Sequence, residues 1–377
     1  MRIACITTSR IPASTAHSIQ AMKACHALAQ VDGPVALWVP GDRPVAWEAL
    51  AEHYGLETPF DVHWMPSRRT WRRYDFAWQA LQEARRWGAD LVYTWFFPAA
   101  ALALHYHLPV VVEVHDRPSG RVGPWFLRNF VHTPGRKALL VITAALRGKL
   151  EEGFGLPAGA DWVHIAPNGV DLEHYRSLPP AEEARAMLGL PPGLTVGYTG
   201  HFYAGRGAGL LVGLARAFPE VHFLWAGGRP EDVAAWREKL SAQGIENVTL
   251  TGFIDNRRLP LYQAAADVLL MPYERAIAGS SGGNSAEICS PMKMFDYLAA
   301  GRAIVSSDLP VLHEVLHPGN AVFCPPEDLP AWQAALAALR DDPELRRRLG
   351  AQAAADAARY TWRDRAARAL AGLRATG

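Results

Sequence analysis

Net charge is the first thing this sequence has little of. Its 38 lysines and arginines stand against 37 aspartates and glutamates, a balance of +1 over 377 residues, which argues against a nucleic-acid scaffold. Cysteine is scarce as well. Cys5, Cys25, Cys289 and Cys324 lie far apart and share no C-x-x-C spacing, so they read as reduced thiols of a cytoplasmic protein rather than metal ligands. No leader is expected, because Met1-Arg2-Ile3-Ala4-Cys5-Ile6-Thr7-Thr8 has too short an apolar run for a signal peptide and reads as a strand. No membrane span is expected either: the most apolar region, residues 91–114, is broken by Pro98, His105, His107 and Pro109. The loop after the first strand lacks G-x-G-x-x-G, which argues against a dinucleotide fingerprint there. No D-x-D pair closes a strand to hold a metal.

What is present is a regular alternation of short apolar runs with helical patterns. Residues 3–7, 35–39, 91–94, 110–114, 140–143 and 163–166 read as strands in the first half. Residues 195–198, 221–225, 248–251, 268–271, 303–306 and 321–324 read as strands in the second. Continuous apolar strands separated by helices imply buried parallel sheets. Two series of about six strands predict an α/β chain of two doubly wound domains. The Pro- and Gly-punctuated stretch 177–190 is the natural boundary. Two such domains facing one another imply a cleft, since ligands sit beyond the carboxyl ends of the strands.

One stretch organises the second half: Gly279-Ser280-Ser281-Gly282-Gly283-Asn284-Ser285-Ala286-Glu287-Ile288-Cys289-Ser290-Pro291-Met292-Lys293-Met294-Phe295-Asp296-Tyr297-Leu298-Ala299-Ala300-Gly301. A flexible loop runs into a helix start, with Ser290 as the expected cap, Pro291 at the first helical position and Gly301 as the stop. Free N–H groups at such a start favour an anion. Lys293 and Asp296 share a face three residues apart, a cation beside the anion and a carboxylate placed for a ribose diol. The same pattern also fits an ordinary amphipathic helix with a surface ion pair.

In the first half, Thr8-Ser9-Arg10-Ile11-Pro12-Ala13-Ser14-Thr15-Ala16-His17-Ser18-Ile19-Gln20 is a Ser/Thr-rich loop entering a helix expected at residues 20–29. A strand ends in Val112-Glu113-Val114-His115-Asp116-Arg117-Pro118, where His115 could bond a sugar hydroxyl or move a proton. Residues 64–87 interleave Trp64, Arg68, Arg69, Trp71, Arg72, Arg73, Tyr74, Phe76, Trp78, Arg85, Arg86 and Trp87. Residues 121–130, with Arg136 and Lys137 beyond, repeat the mixture. Such segments either seat a helix on an anionic membrane surface, grip an anionic acceptor, or form a core face backed by solvated charge.

Several segments in order carry a resemblance. They are Pro167-Asn168-Gly169-Val170-Asp171, Gly197-Tyr198-Thr199-Gly200-His201-Phe202-Tyr203-Ala204-Gly205-Arg206-Gly207, Leu250-Thr251-Gly252-Phe253, Leu261-Tyr262, Ala266-Asp267-Val268, Met271-Pro272, the Ser290–Gly301 segment and Tyr360-Thr361-Trp362. Together they resemble the family-4 glycosyltransferases of GT-B fold. The resemblance implies an acceptor-binding Rossmann-like domain at 1–183, a donor-binding one at 184–355, and a closing helix at 356–377 that returns to the first domain. It also implies a retaining hexosyltransferase that moves a sugar from a nucleoside-diphosphate sugar such as a UDP or GDP conjugate.

In that family the loop after the first C-domain strand grips the donor diphosphate with an Arg and a Lys. Arg206 stands at the Lys position, while His201 stands where Arg is usual, and Lys293 compensates in our reading. Two glutamates eight positions apart touch the donor sugar and the ribose. Asp296 takes the second position; the first falls on Ile288, with Glu287 the nearest carboxylate and the backbone of residues 282–285 the alternative. The expected catalytic groups are therefore His115, Arg206 and Lys293. Gly200, His201, Gly207, Phe253, Ile254, Gly282, Gly283, Asn284, Glu287, Ser290 and Asp296 complete the donor site. Ser14, His17 and Trp95 are the acceptor candidates, and Asp116 and Glu113 are expected to orient their loop. No metal or other cofactor is expected, and the acceptor is a sugar, glycan or lipid-linked hydroxyl. The protein is expected in the cytoplasm, with peripheral contact at the inner membrane face as an option. A nucleotide-sugar epimerase, a glycogen-phosphorylase-like enzyme and a non-catalytic nucleotide-sugar-binding subunit are the alternatives.

Overall fold

The computed structural model describes residues 1–277 and 284–375. Gly282 and Gly283 of the expected donor loop lie outside the described residues. The chain divides into two compact units, one formed by residues 1–168 with the final helix from Trp362, the other beginning at Gly169 and ending at Thr361.

The first unit is a parallel sheet of seven strands: β1 (Ile3–Ile6), β2 (Val35–Pro40), β3 (Asp61–Met65), β4 (Leu91–Thr94), β5 (Val110–Val114), β6 (Lys137–Val141) and β7 (Val163–Ile165). Their order is β3-β2-β1-β4-β5-β6-β7. Between them run α1 (Ala16–Val31), α2 (Trp47–Tyr54), α3 (Tyr74–Arg86), α4 (Phe97–His105), α5 (Val122–His132) and α6 (Ala144–Phe154). The central strands β1, β4 and β5 are buried along their whole length, as both-face coverage of a parallel sheet requires.

The second unit carries α7 (Ala181–Leu188), β8 (Thr195–Thr199), α8 (Ala208–Ala217), β9 (His222–Ala226), α9 (Pro230–Ala242), β10 (Val248–Gly252) and α10 (Leu259–Ala264). It continues with β11 (Val268–Met271), α11 (Met292–Ala300), β12 (Ala303–Ser307), β13 (Ala321–Cys324), α12 (Leu329–Asp341) and α13 (Pro343–Ala357). Its sheet order is β10-β9-β8-β11-β12-β13, the doubly wound arrangement in which order reverses beside the first strand. Trp225 and Trp332 are fully buried in its core. The last helix, α14 (Trp362–Ala375), belongs with the first unit, where it packs on α1. No helix among the described residues is long and apolar enough to cross a membrane.

Several expectations shift. The units part at Asn168 and Thr361 rather than at 183 and 355. The reason is local: Val170 bridges Thr361 in parallel, and its N–H donates to the Tyr360 carbonyl at 2.9 Å, so residues 169–183 join the second unit. A seventh strand, β3, is present where none was expected. It is an edge strand whose Asp-Val-His-Trp-Met pattern is only partly buried. The strand expected at 140–143 begins earlier, at Lys137, and Thr143 instead caps α6 by accepting from Leu146 N–H at 3.0 Å. Helix α1 starts at Ala16, not residue 20, because Thr15 caps it and accepts from Ser18 N–H at 3.4 Å. In α11 the flanking residue is Pro291 itself, whose extended ψ of 128° keeps it outside the helix, so Ser290 is not the cap.

Gly207 opens α8 with φ +72°, and a Cβ there would lie 1.9 Å from the Pro272 carbonyl oxygen. The loop after β8 can approach the loop after β11 this closely only with glycine. Gly207→Ala is expected to destabilise the protein by about 1–3 kcal/mol, read as a lowered thermal midpoint, whereas Gly209→Ala, where nothing lies within 4 Å, leaves it unchanged or raised.

Candidate functional site

In the second unit the expected donor residues converge where sheet order reverses, between the ends of β8 and β11. The β8 loop carries Arg206, whose guanidinium lies 5.0 Å from the Tyr203 ring and 4.9 Å from the Tyr273 ring, the latter in the β11 loop. Arg206 also donates to the Tyr203 hydroxyl at 3.2 Å. Lys293, in the first turn of α11, places its ammonium 3.9 Å from the Tyr198 ring and 5.6 Å from the Tyr273 ring. Tyr297, one turn further along α11, fixes that helix: its hydroxyl accepts from Thr199 N–H at 2.8 Å and donates to the Leu270 carbonyl at 3.3 Å. Gly200, with φ +136°, leaves room for the lysine, since a Cβ there would sit 2.7 Å from Nζ.

The electrostatics of this enclosure are one-sided. Burial and the adjacent Arg206 push the Lys293 pKa well down, with Asp296 pulling it back. Burial also opposes the charge of Arg206, but the phenol groups of Tyr273, Tyr203 and Tyr198 more than offset this, and it stays protonated. Burial raises the Cys289 thiol to about 11 against the pull of Arg206, so it is neutral at pH 7 and no nucleophile. Two cations share one aromatic cage, an arrangement suited to a polyanion such as a diphosphate.

The remaining donor candidates are distributed around it. His201 stacks on Tyr203 at 5.6 Å, and its carbonyl accepts from the Tyr198 hydroxyl at 2.7 Å. Asp296 lies beside the phenol of Tyr175, raising its pKa after burial has already done so. Phe253 and Ile254 follow β10, with Phe253 exposed. Asn284 holds its own loop: its Oδ1 accepts from Ile277 N–H at 2.9 Å and Ala286 N–H at 3.0 Å, and its Nδ2 donates to the Arg275 carbonyl at 2.7 Å. Ile288 and Ser290 are buried, and Glu287 is exposed at the end of the short turn Ser285–Glu287 just before them.

In the first unit Glu113, at the end of β5, is the hub. Its Oε2 accepts from Gln20 Nε2 at 2.5 Å, Trp95 Nε1 at 2.9 Å and His115 Nε2 at 2.9 Å. Its Oε1 accepts from the Tyr93 hydroxyl and from Arg365 of α14, the latter at 2.5 Å. Burial alone would raise this carboxyl, yet Arg365 and His115 hold it far below the usual carboxylate range. Two of the sequence candidates, Trp95 and His115, are thereby fixed by one carboxylate. His17 joins them from the first turn of α1, its ring 5.8 Å from that of His115. Packing and the neighbouring His115 lower its pKa, with Asp116 opposing. Ser14, partly buried, lies in the loop just before α1.

Sequence reasoning missed Arg365, Tyr93 and Tyr273. Their one shared signal is a polar side chain within or beside an apolar run, which does not say what it faces. Lys137 was read with the basic surface stretch. It is structural: its ammonium donates to the carbonyls of Phe130, Val131 and Thr133, each at 2.7 Å, at the end of α5.

Two parallel doubly wound units, one with a caged cation pair at its switch point, define a GT-B protein. The sequence comparisons agree. A family model described as Glycosyltransferase Family 4 matches residues 19–174, and one described as Glycosyl transferases group 1 matches residues 194–342. The chain belongs to the group 1, family 4 glycosyltransferases. It is 30% identical to the phosphatidyl-myo-inositol mannosyltransferase of Mycolicibacterium smegmatis over 211 residues, covering 54% of this chain and 49% of that one. It is 29% identical over 164 residues to a Bacillus subtilis protein named as a teichuronic acid biosynthesis glycosyltransferase, covering 43% and 38%. The chain thus spans about half or less of the length of these curated relatives. In fold it is similar to Anabaena HepE in complex with UDP, with a TM-score of 0.75, 17% identity and full coverage of both chains.

Arg365→Met would leave a buried carboxylate without its guanidinium partner and is expected to cost about 3–5 kcal/mol of stability. The double variant with Glu113→Gln should lose less than the sum of the two single changes, as a double-mutant cycle by denaturant titration would show. Because the folded Glu113 pKa lies below its ordinary 4.5, its contribution is complete above that value and drains away as the pH falls below it. Acid titration of the wild type against Glu113→Gln measures this.

Proposed function

We propose that this chain is a retaining glycosyltransferase that transfers a hexose from a nucleoside-diphosphate sugar to the hydroxyl of a sugar, glycan or lipid-linked acceptor. The observation that carries it is the Arg206–Lys293 pair. Neither cation is ion-paired to a carboxylate among the described residues, and both stand at the ligand crevice of a doubly wound sheet. The family relatives that bear the names of glycosyltransferases support the reaction class, and the UDP complex of the similar fold supports the donor type.

In this reading the two cations and the loop N–H groups offset the charge that grows on the leaving diphosphate, about 3–4 kcal/mol for each well-placed donor. The acceptor oxygen forms its bond to the anomeric carbon on the face from which the diphosphate departs. A diphosphate oxygen takes the acceptor proton. Asp296 bonds the ribose, and in the first unit His115, its ring fixed by Glu113, is the group offered to a sugar hydroxyl. The cation pair supplies the positive charge that a divalent metal would otherwise bring, so activity in excess chelator should equal activity without it. Activity that vanishes with chelator and returns with manganese would overturn that part. Donor conversion in the absence of any acceptor would favour the epimerase reading instead, and nucleotide binding without any turnover would favour a binding subunit.

Thermal unfolding with UDP, GDP, ADP and TDP and their sugar conjugates tests the donor site. A ligand at a hundred times its dissociation constant adds about 2.7 kcal/mol to stability. One base should stabilise the wild type, and the shift should collapse in Arg206→Ala; no shift with any of them removes the main support. The affinity also carries a pH signature. Diphosphate binding raises the lowered pKa of Lys293, so affinity is full below the free-state pKa and falls about tenfold per pH unit above it. Lys293→Met should abolish that slope.

A further inference from the structure

Away from the site, exposed aromatic rings gather in one place. Of the nine exposed large hydrophobic residues among those described, four are Trp71, Tyr74, Trp78 and Trp125. Trp71 ends a short turn before α3, Tyr74 and Trp78 lie on α3, and Trp125 lies in the first turn of α5. Tyr74 and Trp78 are one turn apart and share a face, while Phe76, Ala77, Ala80, Leu81 and Ala84 bury another face of the same helix. The Tyr74 ring lies 5.9 Å from that of Phe126, which meets Trp125 edge-on at 4.9 Å. The two helices therefore present a continuous aromatic surface. Trp71, Trp78 and Trp125 leave 58%, 53% and 58% of their area in solvent.

The charge around these rings is of one sign. Between Asp61 and Glu83 the chain holds Arg68, Arg69, Arg72 and Arg73 against Asp75 alone. Between Asp116 and Glu151 it holds five arginines and two lysines and no acidic residue. Arg68, Arg72, Arg121 and Arg128 are exposed, and the Arg68 guanidinium lies 5.3 Å from the Trp71 ring. A chain of net charge +1 has thus concentrated its positive excess where its tryptophans protrude. The turn that displays Trp71 is built in an unusual way. Arg72 and Arg73 take φ values of 47° and 61°, a conformation that non-glycine residues hold only when fixed by their surroundings. Arg73 is fixed by donating to the Thr8 carbonyl at the exit of β1.

We propose that this surface docks the protein on an anionic lipid bilayer, with the rings among the headgroups and the arginines on lipid phosphates. Tryptophan and tyrosine suit the boundary between apolar and wet layers, and arginine suits the negative surface potential of anionic lipid. A soluble acidic partner would account for the charge but not for three tryptophans held in water. The Arg73–Thr8 contact links the docking surface to the loop that carries Ser14, so a lipid-borne acceptor fits both. The docking itself does not depend on the donor reading.

Flotation of the full chain with vesicles tests it. Equimolar phosphatidylglycerol and phosphatidylcholine should carry the protein up, phosphatidylcholine alone should not, and rising salt should weaken the association. Trp71→Ser/Trp78→Ser/Trp125→Ser should lower partitioning by about tenfold or more. Arg72→Gln, Arg121→Gln and Arg128→Gln should each lower it about fivefold. All of these sites are exposed, and unchanged thermal midpoints would show that the variants fold. Wild type that ignores both vesicles, or a triple tryptophan variant that floats as the wild type does, overturns the proposal. So does soluble heparin that binds as tightly as the vesicles and is indifferent to the tryptophans. Nucleotide-induced stabilisation of the same preparations reads the donor site separately.

Discussion

Holding two like charges, Arg206 and Lys293, inside one aromatic enclosure is the constraint around which the second unit is arranged. Arg206 disfavours the charge of Lys293, and burial disfavours both. The enclosure answers with ring faces and neutral hydroxyls instead of carboxylates. Tyr198, Tyr203 and Tyr273 supply negative π-faces at 3.9–5.6 Å, each worth about 0.5–2 kcal/mol depending on desolvation. Such contacts steady a cation without neutralising it. A carboxylate in the same position would have stabilised the unliganded protein and competed with any incoming anion. The glycines at 200 and 207 follow from the same constraint, since a side chain at either would occupy the space of Lys293 or of the Pro272 carbonyl.

The first unit solves the opposite problem in the opposite way. Its buried charge, Glu113, is surrounded by five donors on two oxygens, and one of them is the fully buried guanidinium of Arg365. A satisfied network of this kind is rigid, because moving any member strands another polar group in a low-dielectric interior. Its effect is to hold His115 and Trp95 in fixed orientation and to make α14 part of the unit that carries them. Arg365 completes the tie by donating to the backbone carbonyls of Ala166 and Pro167. Charge is neutralised by a direct ion pair in the first unit, whereas in the second Arg206 and Lys293 rest on aromatic rings, with Asp296 acting on Lys293 without a direct ion pair.

Much of this was legible in the sequence, and the rest was not for identifiable reasons. Strands such as Leu91–Thr94, Val110–Val114 and Val268–Met271 appear where their apolar runs placed them, since a strand buried on both faces is apolar over most of its length, Glu113 notwithstanding. The edge strand β3 was hidden because Asp61, His63 and Trp64 look like the start of a surface segment. Lys137, grouped in the sequence with the basic-aromatic stretch, begins a strand in the structure, its ammonium consumed by three carbonyls at the end of α5. Lys293 could be named from the helix start, and Arg206 from the resemblance of its glycine loop to the family's. Glu113 and Arg365 could not be paired, because 252 residues separate them and nothing local in either segment points to the other.

The departures at Ile288 and His201 make physical sense within this frame. Ile288 is fully buried, so a glutamate in that place would have to bury a carboxylate close to the cation cage and would draw charge away from the incoming anion. Packing an isoleucine there keeps the cage positive, and the carboxylate of Glu287, one residue earlier, stays in solvent. His201 follows similar logic. A second guanidinium beside Arg206 and Lys293 would add a third like charge, whereas a stacked imidazole packs against Tyr203 and supports the ring that Arg206 rests on. Arg206 and Lys293 thus stay together in one aromatic enclosure although the motif around them is altered.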